Sequence, residues 1–408
     1  MTDAAGALTG IRILDLSRVL AGPSCTQLLA DLGADVIKVE RPGVGDETRT
    51  WGPPFVSDAD GNDTTEAGYY LSANRNKRSA TIDMSRPEGV ELVKQLLQGS
   101  DVLIENFKVG GLAKFGLAYD DLKDEFPGLV YCSITGFGQT GPYKARPGYD
   151  MLAQGIGGLI SMTGEADRAP VKVPIAINDV MTGMYAAVSI LAALRHKDAT
   201  GQGQHIDLGL LDVQVGWLYN QGLNYLTGGE VPQRLGTAHP NTVPYQAFET
   251  ADGHIIMAAN NDAQFERFCK LAERIDLMAD ERFATNPARI RNRDVVTAEI
   301  AAIIKAKPSA YWIEELERIK LSVCPINTLD QVFEDPQVEA RGMKIEMDHP
   351  LAGSGKVDLI GSPIKMSETP VSYRRPPPTL GQHTDEVLEE ALGLDEVARA
   401  ALRADGLI

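Results

Sequence analysis

Cysteine is scarce in this chain: four in 408 residues. Cys25, Cys132, Cys269 and Cys324 stand too far apart to form a C-x-x-C pair or a metal-ligand spacing, so they read as reduced thiols of a cytosolic protein. Six histidines, at 196, 205, 239, 254, 349 and 383, supply no H-E-x-x-H and no paired spacing, which gives a metal site no support. Neither a G-x-S-x-G elbow nor a Walker loop is present. Positive charge is short as well: 39 Lys and Arg stand against 56 Asp and Glu, a net charge of −17. That balance repels phosphate backbones and anionic lipid, arguing against nucleic acid or membrane as the main partner. The opening MTDAAGALTG has neither the basic start nor the apolar run of a secretory signal. The longest apolar stretch, Val180 to Leu194, is shorter than a bilayer span, carries Thr182, and reads as a buried core helix.

What the chain does contain is an ordinary globular composition, 43% hydrophobic and 23% charged. Its length exceeds what one core usually supports, so two folding units are expected. The first half alternates short β-branched runs with helical patterns: IRILDL at 11–16, a helix near 23–32, DVIKVE at 35–40, ATIDM at 80–84, a helix at 86–98, DVLIEN at 101–106 and LVYCSI at 129–134. This alternation predicts an α/β domain with a doubly wound, open parallel sheet over residues 1–225. A strand at HIDLG and a long apolar helix to about Tyr225 complete that stretch. Short strands YQAFET and HIIMAA around Asp252-Gly253, followed by helices near 262–271, 288–305 and 308–319, predict a smaller α+β unit over 226–328. Residues 329–408 carry a Pro-rich link, RRPPPTLGQ, and a helix opened by Thr384.

Ligands of open parallel sheets bind beyond the carboxyl ends of the strands. The loops expected there are SRVLAGP, ERPGVGDETR, ENFKVGG and ITGFGQTGPY. Between the second and third strands, SANRNKRS holds the densest basic cluster, Arg75, Lys77 and Arg78; with Arg41, Lys114 and Arg146 it offers cations for a polyphosphate such as CoA. The plainer reading of that charge run is a solvated loop. Gly136, Gly138 and Gly141 match G-x-G-x-x-G, but the fingerprint requires a helix to begin there and Pro142 opposes one, so a nicotinamide oxidoreductase is a weak rival. Asp179, where a short extended run meets an apolar helix, reads either as a helix cap or as a carboxylate held at a helix amino terminus for nucleophilic attack.

These motifs together resemble the class III CoA-transferases, the family of formyl-CoA:oxalate and carnitine CoA-transferases, from about Gly10 to Leu392. The resemblance rests on LDLSRVLAGP, DLGADVIKVERPG, NRNKRS, DVLIENF, YCSITGFGQTGPY, RPGYD and NDVMTG. Within the family, TRTWGPPF, RLGTAH, VPYQAF, EDPQV, RPPP and LGQHT look most like the succinyl-CoA:glutarate branch. The resemblance implies that Asp179 is the catalytic nucleophile. It further implies a CoA site at Val19, Arg41, Ile82, Asn106 and Lys114, with Arg75 and Arg78 nearby, and an acyl pocket at Leu20, Trp51, Tyr69 and Tyr149, with Arg146, His239 and Asn241 as further candidates. It implies CoA as a cosubstrate with no resident metal or redox cofactor, an acyl-CoA and a small dicarboxylate as substrates, and an interlocked homodimer whose carboxy-terminal segment completes the large domain. The nearest rival on the same fold is an α-methylacyl-CoA racemase, which carries a histidine where this chain has Tyr149. Racemisation needs that second acid-base group, so the tyrosine argues against it.

Overall fold

In the computed structural model, which describes residues 6–408, the first half of the chain forms β1 (Arg12–Asp15), β2 (Asp35–Glu40), the hairpin β3 (Phe55–Ser57) and β4 (Asp63–Ala67), β5 (Lys77–Thr81), β6 (Val102–Glu105), β7 (Val130–Thr135) and, after an insertion, β8 (His205–Gly209). Six of these make one sheet in the order β5-β2-β1-β6-β7-β8, with every neighbouring pair parallel. The chain steps outward from β1 to β5 and then returns to build the other half from β6. The order therefore reverses between β1 and β6, and the crevice beyond their carboxyl ends is where such a sheet binds ligands.

Side chains alternate between two cores. Leu14, Ile37, Val39 and Leu103 pack with Leu92, Val93, Leu96 and Leu97 of the helix Pro87–Leu97 and with Val387 and Leu388 of Thr384–Leu392. Ile13, Val36, Val102 and Ile104 face the other way, toward Cys25 and Leu29 of the helix Ala21–Asp31 and Ala186 and Ile190 of the helix Ile177–Thr200. A sheet covered on both faces explains why β6 and β7 are continuous buried runs.

The chain divides into two compact units. One takes the chain up to Gly157, Pro174–Trp217 and Pro336–Ile408; the other takes Gly158–Val173 and Leu218–Asp335. Within the expected stretch 1–225, Gly158–Val173 and the residues from Leu218 onward group with the second unit. The second unit has the antiparallel strands β9 (Tyr245–Glu249), β10 (His254–Ala258) and β11 (Ser322–Pro325), in the order β11-β10-β9. Its core joins Phe248, Ile255 and Met257 to Phe265, Phe268, Ile300, Trp312 and Leu316 from the helices Asp262–Leu271, Arg293–Lys305 and Ser309–Arg318. In the first unit a further hairpin, β12 (Lys344–Asp348) with β13 (Lys356–Ile360), packs Met347, Val357 and Leu359 against Tyr70 and Leu71.

Three local expectations need correction. β5 starts at Lys77, inside the charge run, because Lys77 and Arg78 are buried with carboxylate partners. The apolar run belongs to a 24-residue helix, Ile177–Thr200, long and apolar enough by composition to cross a bilayer. It is not a fully buried core helix: one face lies on the sheet while Met184, Tyr185 and Val188 are exposed. The helix after β8 breaks at Trp217 into Leu210–Gly216 and Tyr219–Gly228.

Candidate active site

Beyond β1 the backbone is braced from three sides. Asn106, just past β6, accepts the Arg18 N–H at 2.9 Å and donates to the Arg18 carbonyl at 2.6 Å, bridging the point where strand order reverses. Lys38, fully buried on β2, donates to the Ser17 carbonyl at 2.8 Å and to Asp46 at 2.9 Å. Asp46 in turn accepts the Val19 N–H at 3.2 Å. Burial works to raise the Asp46 carboxyl, but the Lys38 charge and the Thr48 N–H outweigh it and hold the group at about 2. The braced loop carries Val19 with φ of 69°, a left-handed conformation that a β-branched residue adopts only under constraint. Leu20 follows as the N-cap of the helix Ala21–Asp31.

The helix Ile177–Thr200 lies against that helix at a glycine. A Cβ on Gly183 would stand 2.2 Å from Ser24 Oγ and 2.7 Å from the Ala21 carbonyl oxygen, so only glycine allows this approach. Its first turn is fixed from two other strand ends. Asn178 Nδ2 donates to the Leu210 carbonyl just after β8, and the Asp150 carboxylate, reached by the loop after β7, accepts the N–H groups of Asn178 at 2.8 Å and Asp179 at 3.3 Å. Asp179 is not the cap of its helix. The N-cap is Ala176, which offers no side-chain acceptor, and Asp150 supplies the missing one.

Asp179 is half-buried in the first helical turn. Burial, with the like charge of Asp150, pushes its carboxyl up to about 7. Tyr69 faces the same pair: burial and the charges of Asp179, Asp150 and Asp46 push its phenol up to about 12. Its ring meets Trp51 edge-on with centroids 5.1 Å apart. Leu20, Tyr69 and Asp179 thus share the carboxyl-end side of the sheet, with exposed Trp51 edge-on to Tyr69. Tyr149 directly precedes Asp150 and is exposed.

The remaining sequence-predicted residues separate. Arg41 and Lys114 are exposed, the latter with Nζ over the Phe115 ring at 4.4 Å. Arg146 is also exposed and stacks on Tyr143 at 3.8 Å. The Ile82 side chain is buried in the core, and its N–H is taken by the Glu40 carbonyl. Arg75 and Arg78 do not form a free basic patch, nor do they face water. Arg75 is buried against Asp31 at 2.6 Å, and Arg78 against Asp35 at 2.5 Å and Glu390 at 2.8 Å. Both stand at the amino end of β5, and their charge is spent inside the domain. His239 and Asn241 lie in the second unit, in a turn held by its own bonds: the His239 ring stacks on Tyr245 and accepts the Asn241 N–H, and Asn241 accepts from Asn224. The G-x-G-x-x-G stretch runs into turns rather than a helix, and the Gly138 N–H is spent on Thr135 Oγ1. Sequence reasoning quoted Asp150 without a role, because a separation of 29 positions along the chain gives no sign that it meets Asp179. It passed over Arg18, whose guanidinium lies over Phe107 at 5.4 Å and pairs with Glu47.

Among the described residues no group of three or more His, Cys, Asp or Glu is arranged to hold a metal ion. A doubly wound sheet with a half-buried carboxyl in the first turn of a helix, tied to the loops after β7 and β8, forms the candidate site, and comparison with known proteins supplies the family. Residues 8–384 match CoA-transferase family III, and the chain belongs to that family. It is 48% identical over 399 residues to a succinate–glutarate CoA-transferase of Agrobacterium fabrum, covering 97% of each chain. To the succinyl-CoA:glutarate CoA-transferase of Homo sapiens it is 43% identical, covering 98% of this chain and 90% of the relative. The crystal structure of a CAIB/BAIF family protein from Brucella suis superposes with a TM-score of 0.83 at 46% identity, over 95% of this chain and all of the other. The protein is a class III CoA-transferase, exchanging CoA between an acyl-CoA thioester and a carboxylate.

Proposed function

We propose that Asp179 is the acyl carrier of this exchange, with succinyl-CoA as donor and a small dicarboxylate of the glutarate type as acceptor. The observation that carries the reading is the placement of a half-buried carboxyl in the first turn of a helix, beside Tyr69 and at the carboxyl ends of β1, β7 and β8. The donor and acceptor rest on the curated relatives, whose names pair succinate or succinyl-CoA with glutarate.

The steps balance without a proton or redox partner. The Asp179 carboxylate oxygen attacks the thioester carbonyl; a C–O bond forms, the C–S bond breaks, and CoA thiolate leaves with the electron pair. The thiolate attacks the Asp179 carbonyl of the mixed anhydride, releasing the donor as free carboxylate and leaving an aspartyl-CoA thioester. The acceptor carboxylate attacks that thioester, and CoA thiolate leaves again. The thiolate then takes the new acyl group, and Asp179 returns as carboxylate. Covalent catalysis thereby divides one difficult exchange into steps of similar energy.

In this reading exposed Arg41 and Lys114, with Asn106 and the strained Val19 backbone, receive CoA, while Leu20, Trp51, Tyr69 and Tyr149 surround the acyl group. Arg146 is the exposed cation available to the distal carboxylate of a dicarboxylic acid. His239 and Asn241 are second-unit candidates for the acyl side. The chain works as a cytoplasmic homodimer. The apolar outer face of Ile177–Thr200, with Met184, Tyr185, Val188 and Leu191 exposed, supports a second copy covering that helix. Sedimentation at micromolar concentration tests the dimer. Incubation with succinyl-CoA and a panel of dicarboxylates, followed by mass analysis of the new thioesters, tests the chemistry. Asp179→Asn that still exchanges CoA overturns it.

A further inference from the structure

We infer that Asp150 is a positioning residue for Asp179, holding its backbone in place and biasing its carboxyl toward the neutral, acylated forms; this rests on the reading of Asp179 as the acyl carrier. The geometry gives Asp150 three engagements. Oδ1 accepts the N–H groups of Asn178 and Asp179, and Oδ2 accepts Gln154 Nε2 at 2.6 Å. Gln154 lies one turn along the short helix Asp150–Ile156 and is fully buried, so the carboxylate cannot swing away from the helix end it serves.

A cap alone does not call for a charged residue. Helix N–H groups are met as well by Asn, Ser or Thr, and the N-cap position of Ile177–Thr200 is held by Ala176, which has no side-chain acceptor. Instead, a full negative charge from a separate helix stands where it touches the Asp179 backbone. In the first chemical step the Asp179 charge is consumed: its oxygen becomes part of an ester-like bond, and the negative charge leaves on sulfur. A fixed charge beside Asp179 therefore raises the energy of the free carboxylate relative to the anhydride and the thioester, which carry none at that group. The same repulsion favours the protonated acid, so a change in acid strength and a change in acylation equilibrium should move together. The charged neighbour acting on Asp179 among the described residues is Asp150, and the other titratable group facing the pair is the Tyr69 phenol, which burial keeps neutral at working pH.

The separating variant is Asp150→Asn, which keeps an acceptor oxygen of the same reach and removes the charge. Wild type and variant are incubated with succinyl-CoA alone, and the intact proteins are weighed for the added CoA. The acid limb of kcat/KM is measured in parallel. The expected result is a limb moved about one unit toward lower pH, the size a neighbouring like charge imposes, and a CoA-thioester equilibrium lowered roughly tenfold, the equivalent of that unit. Asp150→Glu, which retains charge, should keep the limb near the wild-type position. An Asn variant with an unmoved limb and unchanged thioester equilibrium overturns the inference and leaves Asp150 a cap. Should the Asn amine clash with Gln154 Nε2 and unfold the variant, Asp150→Ser, which keeps an oxygen acceptor without charge, is measured by the same two readouts, and an unmoved limb with an unchanged thioester equilibrium there overturns the inference. Wild type that never carries CoA on Asp179 brings down the acyl-carrier reading instead, whatever Asp150 does.

Discussion

Gly136 and Gly148 meet backbone to backbone: a Cβ on Gly148 would lie 2.0 Å from the Gly136 Cα, and one on Gly136 would lie 2.3 Å from the Gly148 Cα. This contact pins the loop after β7 to the strand end just before the chain reaches Tyr149 and Asp150. Gly148→Ala must move that loop, and with it the carboxylate that seats the first turn of Ile177–Thr200. A displacement of about 1 Å at a reacting group can cost on the order of a hundredfold in turnover. Steady-state kinetics should show that loss in kcat, with the protein still folded by circular dichroism.

The approach of the two helices at Gly183 is equally intolerant. An added methyl would press on the Ala21 carbonyl and the Cys25 N–H side of the backbone, neither of which is a flexible chain end. Overpacking of this kind costs about 1–3 kcal/mol. Gly183→Ala should lower the urea midpoint accordingly, and Gly183→Val should lower it further; an unchanged midpoint would show that the helices can separate freely.

Basic residues divide into two groups that mutation should distinguish. Arg75 is buried on Asp31, and removing one partner of a buried pair costs about 3–5 kcal/mol because the other charge is left unpaired. Arg75→Met should therefore lose stability in thermal melts while any folded fraction keeps its KM for acyl-CoA. Arg41→Ala and Lys114→Ala, at exposed positions, should leave the melting temperature alone. They should raise KM for acyl-CoA by up to about fivefold each, the roughly 1 kcal/mol of an exposed ion pair. That increase should shrink at high salt.

Burial first, and Asp150 second, hold the Asp179 carboxyl at about 7 rather than its ordinary 3.8. A carboxyl raised by folding favours the folded state fully below pH 3.8, and that contribution is lost as pH climbs through 7. One pKa unit is about 1.4 kcal/mol, so the ionised group costs at most about 4 kcal/mol above pH 7, less in proportion to its partial exposure. Asp179→Asn should melt higher than wild type at pH 8 and nearly the same at pH 4. In the opposite sense, wild-type kcat/KM should rise with pH along an acid limb centred near 7, because only the carboxylate attacks. A limb centred near 4 would mean that the group is solvated in the working enzyme.

Local pattern made much of this protein readable in one dimension. The β-branched runs around Leu14, Ile37, Ile104 and Ile134 alternate with helical periods, and that alternation alone predicts a parallel sheet with a site at its carboxyl ends; the motif string from LDLSRV to NDVMTG points to the family and to Asp179. Tertiary structure decided what depends on partners distant in sequence. The run Arg75 to Arg78 reads as solvated charge until Asp31, Asp35 and Glu390 arrive to bury it, since a charge enters a core only with its counter-charge. Likewise nothing in the spacing of Asp150 and Asp179 announces that one carboxylate seats and charges the surroundings of the other. Two glycines and the return of the chain from β7 bring them together, and electrostatic effect depends on distance in space, which a list of residues does not contain.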